Sequence, residues 1–282
     1  MNTAKLSSGE LSYSESGAGQ PIVFLHGLLQ DGRLWSPLIE DLSRDFRCIT
    51  PTLPLGAHRS ALHPKADTSI AGVAQIVAEL LAQLGLHDVT LVGNDTGGAI
   101  AQFVAARHPD RLGRLVLTGC EAFENYLPQG FRMLPPAARA GLLTPILSLL
   151  RLRSPRRLPN GYGWLTRGPL PHTLIDEWVA AYFASPGVRR DTRTFTLSLG
   201  KRTQMIDIAA ELKQFHKPAL IAWATDDKLF PAKHATRLAE ALPQSQLEFI
   251  DGSLTWVMRD QPQRTIELLR AFVAATTTSS AY

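Results

Sequence analysis

Short apolar runs alternate with longer amphipathic stretches along the chain from residue 21 onward. Residues 22–25 are all apolar, which predicts a strand buried on both of its faces. Between residues 68 and 84 the apolar side chains recur at the spacing of one helix face, which predicts a helix. A second pair follows, with a strand at residues 89–92 and a helix at residues 99–107. This alternation is typical of βαβ units, so we predict an α/β fold with a mostly parallel sheet of about eight strands flanked by helices.

The alternation is interrupted in the middle of the chain. After residue 122 the sequence is broken by prolines and glycines and predicts helical pieces without strands, as far as about residue 212. Strands are predicted again at residues 219–222 and 247–250, and a closing helix follows them. The sheet therefore brackets an insertion. We predict a core formed by residues 1–122 and 213–282 and a helical cap formed by residues 123–212.

A glycine-rich turn joins the strand at residues 89–92 to the helix that follows it. Residues 92–98 read Val-Gly-Asn-Asp-Thr-Gly-Gly, which fits the pattern glycine, any residue, nucleophile, any residue, glycine. Gly93 and Gly97 suit this turn because it is tight enough for a side chain to clash there. The turn would place Asp95 at the amino end of a helix, where partial positive charge favours an ionised carboxylate. Asp95 is therefore the predicted nucleophile, unless it only caps the helix.

With this turn the chain resembles the α/β-hydrolase superfamily, and within it the aspartate-nucleophile branch that includes haloalkane dehalogenases and epoxide hydrolases. The resemblance extends over nearly the whole chain outside residues 125–210, and it implies an α/β-hydrolase fold with a helical cap. Besides the turn it rests on Phe-Leu-His-Gly at residues 24–27, Pro-Thr-Leu-Pro at 51–54 and Ala-Leu-Ile-Ala-Trp at 219–223. By this resemblance the backbone N–H groups of Leu28 and Thr96 form the oxyanion hole.

A further carboxylate is needed to orient the general base, and the resemblance implies two places for it. Asp227, followed by Lys-Leu-Phe-Pro, fits the place after the strand that ends near residue 223, with Asp226 as the fallback. Glu121 fits the earlier place, after a further strand that the apolar pattern predicts at residues 115–118. Both candidates stay open, because either carboxylate could instead be a loop residue or a helix cap.

The general base itself departs from the family pattern. The family has a catalytic histidine after the last strand, where this chain has Thr255. A threonine hydroxyl is not basic near neutral pH, so a covalent ester on Asp95 is expected to accumulate unless another base serves. His58 is the best-placed substitute, because the loop that carries it borders the mouth of the site in this fold. His172 and His234 are weaker candidates.

The substrate side of the site has less specific signals. The candidate substrate contacts are His26, Asn94, Trp35 and Tyr126. His26 also suits a role in shaping its own loop. Haloalkane dehalogenases bind halide at places that correspond here to Thr96 and Leu28, so a halide site of the usual kind is not expected.

Composition and charge narrow the class of protein. The chain has 282 residues, 45% of them hydrophobic, and a formal net charge of +4. This small basic excess does not indicate a nucleic-acid-binding surface, and no apolar stretch approaches the length of a membrane span. Cys48 and Cys120 lie far apart in apolar contexts and are expected to be reduced thiols in a cytoplasmic protein. A run of arginines at residues 151–157 could bind an anionic ligand or an acidic membrane surface, or could be a solvated helix face.

Together these features predict a metal-free, cofactor-independent enzyme, monomeric or homodimeric, in which Asp95 attacks a small or medium-sized organic substrate. A hydrolase resembling epoxide hydrolases or dehalogenases is the leading hypothesis. A lyase, isomerase or cyclase that uses Asp95 as an acid or base is the alternative among enzymes. A ligand-binding protein that has kept the fold without turnover is the alternative of another class.

Overall fold

The computed structural model describes residues 1–200 and 202–278, and its central element is an eight-stranded sheet. Its strands are β1 (Asn2–Leu6), β2 (Gly9–Ser16), β3 (Gln20–Leu25), β4 (Phe46–Pro51), β5 (Val89–Gly93), β6 (Leu112–Leu117), β7 (Ala219–Ala224) and β8 (Ser245–Ile250). They lie in the order β1-β2-β4-β3-β5-β6-β7-β8. The pairs β1 with β2 and β2 with β4 are antiparallel, and the other neighbouring pairs are parallel. The predicted fold class is confirmed.

The middle strands are apolar because helices cover both faces of the sheet there. Residues 22–25 of β3 are fully buried, as the apolar run predicted. The first two strands differ, because only alternate side chains are buried, among them Leu11 and Tyr13 on β2. Their polar outer positions hid them from the hydrophobic pattern, which predicted no strand before residue 21.

Helices of the core and of the inserted segment complete the described structure. They are α1 (Ser36–Leu42), α2 (Ile70–Gln83), α3 (Thr96–Arg107), α4 (Leu134–Arg139), α5 (Leu143–Ser148), α6 (Arg153–Arg156), α7 (His172–Ala184), α8 (Pro186–Ser198), α9 (Arg202–Glu211), α10 (Lys233–Ala241), α11 (Val257–Asp260) and α12 (Pro262–Thr278). The helices predicted at residues 68–84 and 99–107 correspond to α2 and α3. Within the described ranges, no helix combines the length and the apolar character that crossing a membrane requires.

Helices α4 to α9 lie in residues 123–212, which we call the cap segment. Its described residues contain no strand. Two hydrogen bonds connect the cap segment to the core. The Tyr162 hydroxyl donates to the Leu29 carbonyl at 3.1 Å, and the backbone N–H of Trp256 donates to the Leu165 carbonyl at 2.7 Å. The boundaries between core and cap at residues 122 and 212 stay predictions.

The parallel part of the sheet positions the site. Strands β3, β5, β6, β7 and β8 run in the same direction, so the residues that follow them meet at one edge. The sequence-predicted site residues His26, Asp95, Glu121, Asp227 and Thr255 all lie in these following segments.

Candidate active site

The turn between β5 and α3 holds Asp95 in a strained backbone conformation. Its φ of 55° and ψ of −135° are rare for a residue with a side chain. The neighbouring glycines make the turn possible. A Cβ at Gly93 would lie 2.6 Å from the Gly97 carbonyl oxygen, and one at Gly97 would lie 2.4 Å from that of Leu25. The turn therefore has the shape that the G-x-Asp-x-G sequence predicted.

Two donors orient the Asp95 carboxylate. Its Oδ1 accepts from the backbone N–H of Thr96 at 2.8 Å, and its Oδ2 accepts from Gln30 Nε2 at 3.1 Å. Gln30 is itself held, because its Oε1 accepts from Gly27 N–H at 3.2 Å. Burial raises the pKa of Asp95 to about 6, and the two hydrogen bonds oppose that rise. Asp95 is therefore mostly ionised at neutral pH.

A second carboxyl group lies beside it. Glu121 is buried, and its Oε1 is 3.1 Å from Thr96 Oγ1, which is also 3.4 Å from Asp95 Oδ1. Burial and the nearby charge of Asp95 raise the pKa of Glu121 to about 8. Because the two carboxyl groups are buried side by side, the pair favours a single shared proton near neutral pH. Within the described residues, Glu121 Oε2 has no hydrogen-bond partner.

Asp227 and Thr255 form a separate pair at the end of β7. Asp227 Oδ1 accepts from the Thr255 hydroxyl at 2.8 Å and from the backbone N–H groups of Leu229 and Phe230, each at 2.9 Å. Burial raises the pKa of Asp227 to about 7. No cation neutralises this carboxylate among the residues that the structure describes, so its protonated form is favoured as the pH falls.

A cavity of about 320 Å³ lies over Asp95. Its polar floor is formed by Gln30, Asp95, Thr96 and Glu121. Its walls are apolar and come largely from the cap segment, with Leu127, Phe131, Leu147, Leu150, Tyr162 and Leu165 among them. The lining contains no lysine or arginine. The site therefore suits an uncharged, apolar ligand whose reactive group points at the floor.

A model of the family described as the alpha/beta hydrolase fold matches residues 20–261. The chain belongs to the α/β-hydrolase family. This match includes the turn at Asp95, the cap segment and the loop that carries Thr255.

Relatives of this α/β-hydrolase act on different substrates. It is 29% identical to a cis-3-alkyl-4-alkyloxetan-2-one decarboxylase of Shewanella oneidensis, over 95% of this chain and 86% of that one. It is 27% identical to a 2-hydroxy-6-oxo-2,4-heptadienoate hydrolase of Pseudomonas putida, over 94% and 93% of the two chains. A structure of an inferred ancestral haloalkane dehalogenase superposes with a TM-score of 0.80 at 21% identity, over 99% and 100%. The chain is thus a hydrolase-like enzyme, and the relatives leave its substrate open.

The structure of this α/β-hydrolase brings four of the predicted residues to the cavity. Asp95, Thr96, Glu121 and Leu28 all line it. Asp227 and Thr255 do not line it, and they lie beside Gly119, where an added Cβ would be 2.4 Å from Asp227 Oδ2. The oxyanion-hole roles of Leu28 and Thr96 stay predictions.

Three predicted substrate contacts of this α/β-hydrolase have structural partners instead. His26 Nε2 accepts from Leu53 N–H at 2.9 Å, and burial lowers its pKa to about 4. Asn94 Nδ2 lies within hydrogen-bonding distance of the Thr118 hydroxyl and of the Gly119 and Thr255 carbonyls. Trp35 packs against Phe24 with ring centroids 5.1 Å apart. These three side chains, and Tyr126, do not line the cavity, so its lining does not support direct substrate contact by them.

The substitute histidines are also placed elsewhere. His58 is buried, and its Nε2 lies 3.4 Å from Asp191 Oδ2 in the cap segment. His234 stacks on Phe123, and His172 begins α7. None of the three lines the cavity. His58 fastens the cap segment to the core because its ring meets a carboxylate of α8.

Gln30 is a site residue that the sequence analysis missed. It is 1% exposed, and both ends of its amide are hydrogen-bonded at the turn. The available signal was a glutamine three residues after His-Gly in an otherwise apolar stretch, since a buried amide needs partners. Tyr162 also lines the cavity, although nothing in the sequence pattern distinguished it from the other cap tyrosines.

Proposed function

We propose that this α/β-hydrolase opens an uncharged, strained ring electrophile of the epoxide type, with Asp95 as nucleophile and Glu121 as acid and base. The observation that carries the proposal is the single hydroxyl of Thr96 lying between Asp95 and Glu121 on the cavity floor. Two carboxyl groups that share one proton can supply a nucleophile and a proton donor at the same pH.

In the first step Asp95 Oδ attacks a ring carbon and forms an ester bond. The ring carbon–oxygen bond breaks, and the departing oxygen takes the proton of Glu121 to become a hydroxyl group. A leaving oxygen needs such a proton, whereas a leaving halide does not. The protonated Glu121 and the missing halide position at Thr96 therefore favour an oxygen ring over an alkyl halide.

In the second step the Glu121 carboxylate, now without its proton, takes one from a water molecule. The hydroxide formed attacks the carbonyl carbon of the Asp95 ester, and the bond between that carbon and the ester oxygen breaks. The departing oxygen, which came from Asp95, takes the proton of the new carboxyl group, and a diol is released. Glu121 ends the cycle protonated and Asp95 ionised, as they began. In this scheme Glu121 supplies the base that the family's histidine would supply, and Thr255 takes no proton.

A lyase is the second candidate, favoured by the loss of the histidine and by one relative. Splitting an oxetan-2-one into an alkene and carbon dioxide consumes no water, so it needs no base that activates water. The decarboxylase of Shewanella oneidensis is named for a substrate with two alkyl groups on such a ring. An apolar cavity suits those groups equally well.

Single turnover in ¹⁸O-labelled water tests the leading proposal. With the protein in excess over an alkyl epoxide, the label should enter Asp95 and not the diol, because water attacks the ester carbonyl. Peptide mass spectrometry locates the label, and Asp95→Asn should form neither ester nor diol. Label found in the diol would refute attack by Asp95. Release of carbon dioxide from a dialkyl oxetan-2-one, with no diol from epoxides, would favour the lyase.

A further inference from the structure

Unbalanced positive charge is concentrated in residues 128–167 of the cap segment. Residues 128–167 contain seven arginines and no aspartate or glutamate, while the whole chain has a net charge of only +4. The rest of the chain is therefore net acidic. Such a one-sided distribution produces a positive potential over one face of the molecule.

Four of these arginines are available to a partner. Arg156 is buried and binds Asp176, Arg167 binds Asp226, and Arg151 lies over the Phe183 ring. The remaining four are exposed, and none has an ion pair within the described residues; they are Arg132, Arg139, Arg153 and Arg157.

Large apolar side chains are exposed on the same stretch. Of the nine that are exposed among the described residues, six lie between residues 133 and 158. They are Met133, Leu142, Ile146, Leu149, Leu152 and Leu158, and their exposed fractions range from 40% to 70%. We call these six residues and the four free arginines the cap rim. An apolar surface with basic residues among it has the composition of an interfacial membrane-binding site.

The cap rim is also the entrance to the cavity. Met133, Ile146, Leu149 and Leu158 are exposed, yet they line the cavity over Asp95 as well. An apolar molecule could therefore pass from a surface at the rim to the cavity while keeping contact with apolar side chains. This continuity connects the outer surface with the chemistry at the floor.

We propose that the cap rim docks onto an anionic lipid surface, with its apolar side chains among the acyl chains and its arginines at the headgroup phosphates. A second copy of the chain is the poorer fit, because a two-fold interface would set the same arginines against each other with no carboxylate between them. The docked protein takes its apolar substrate from the lipid phase. Docking does not depend on the reaction proposed for Asp95.

Vesicle sedimentation tests the docking. The protein should sediment with phosphatidylcholine vesicles that contain phosphatidylglycerol, much less with pure phosphatidylcholine, and less again as sodium chloride is raised. Arg153→Gln with Arg157→Gln should weaken binding by roughly fivefold per arginine. Leu142→Ser with Leu152→Ser should weaken it by about tenfold or more. Leu142 and Leu152 are exposed and do not line the cavity, so their substitution leaves the cavity lining unchanged.

Matched controls separate docking from general charge and from catalysis. Arg44, beside the amino end of β4, is exposed at the opposite edge of the sheet from Asp95, and Phe249 is exposed on β8. Arg44→Gln and Phe249→Ser should bind vesicles like the unchanged protein, and so should Asp95→Asn, whatever its activity. Melting temperatures identify any variant that fails to fold.

Absence of binding to anionic vesicles would overturn the proposal, and so would equal losses in the rim and control variants. Concentration-dependent dimerisation that the rim variants abolish, while vesicle binding is unaffected, would overturn it as well. The proposal would also be overturned if the protein bound soluble polyphosphate as tightly as it binds vesicles and the leucine substitutions did not weaken that binding. Charge alone would then explain the contact.

Discussion

The hydroxyl of Thr255 donates to Asp227 Oδ1 at 2.8 Å, so the residue predicted to replace the family's histidine contacts a carboxylate predicted to orient the base. A threonine hydroxyl in that contact cannot carry a proton to or from water near neutral pH. The pair lies beside Gly119 and does not line the cavity, whereas Glu121 does, so the role of the base is proposed for Glu121 instead.

Thr255→His should restore a base of the usual kind. The imidazole would take the place of the hydroxyl next to Asp227, and release of an Asp95 ester should accelerate by about 10²-fold or more. Since Thr255 is fully buried, the larger ring should also cost roughly 1–3 kcal/mol of folding free energy. Ester lifetime by intact mass and unfolding in urea measure the two effects. Adding Asp227→Asn should remove the acceleration, and a folded variant with an unchanged ester lifetime would contradict the expectation.

The shared proton predicts a bell-shaped dependence of kcat/KM on pH. Activity should rise as Asp95 ionises near pH 6 and fall as Glu121 loses its proton near pH 8. Glu121→Gln should lower kcat by on the order of 10²- to 10⁴-fold and remove the falling limb. Asp227→Asn is the matched control and should retain both limbs. The assignment fails if Asp227→Asn loses the activity and Glu121→Gln keeps it.

Thr96→Val should uncouple the two carboxyl groups. The valine has nearly the same shape, but it cannot pass a hydrogen bond between Glu121 and Asp95, so turnover should fall by about tenfold or more. Thr90→Val on β5 is the control variant, because it removes a buried hydroxyl that has no hydrogen-bond partner among the described residues. Steady-state rates of the two variants decide the matter, and equal rates would exclude a role for the Thr96 hydroxyl.

Asp227 should make folding stability depend on pH. Its pKa is about 7 in the folded state and 3.8 for an ordinary aspartate, so the folded chain binds this proton more tightly than the unfolded chain. The resulting stability is fully present below about pH 4 and is lost as the pH rises through about 7. Asp227→Asn should flatten this fall by on the order of a few kcal/mol, measured as unfolding free energy in urea across that range. An unchanged slope would show that the folded-state pKa of Asp227 is not raised.

The sequence was sufficient to predict the features that depend on neighbouring residues. Apolar periodicity identified β3, β5, α2 and α3, and two glycines with a central aspartate identified the strained turn at Asp95. Each of these signals lies within a few residues of what it predicts. The first two strands were missed for the same reason, since their polar outer face interrupts the apolar pattern.

Side-chain partnerships across the fold were not predictable in this way. Gln30 meets Asp95 from a loop 65 residues away, and His58 meets Asp191 across 133 residues. Sequence spacing does not reveal such contacts, so His58 was predicted as a substitute base and Gln30 was not singled out. The choice between Asp227 and Glu121 likewise depended on which carboxylate lines the cavity.

Backbone hydrogen bonds hold the turn at residue 95, in addition to the bonds that its carboxylate accepts. The N–H of Asp95 donates to the Gly119 carbonyl at 2.8 Å, and its own carbonyl accepts from Gly98 N–H at 2.9 Å. These two backbone bonds do not depend on which side chain residue 95 carries. A substitution at this position can therefore change the chemical group presented to the cavity while the backbone bonds of the turn remain.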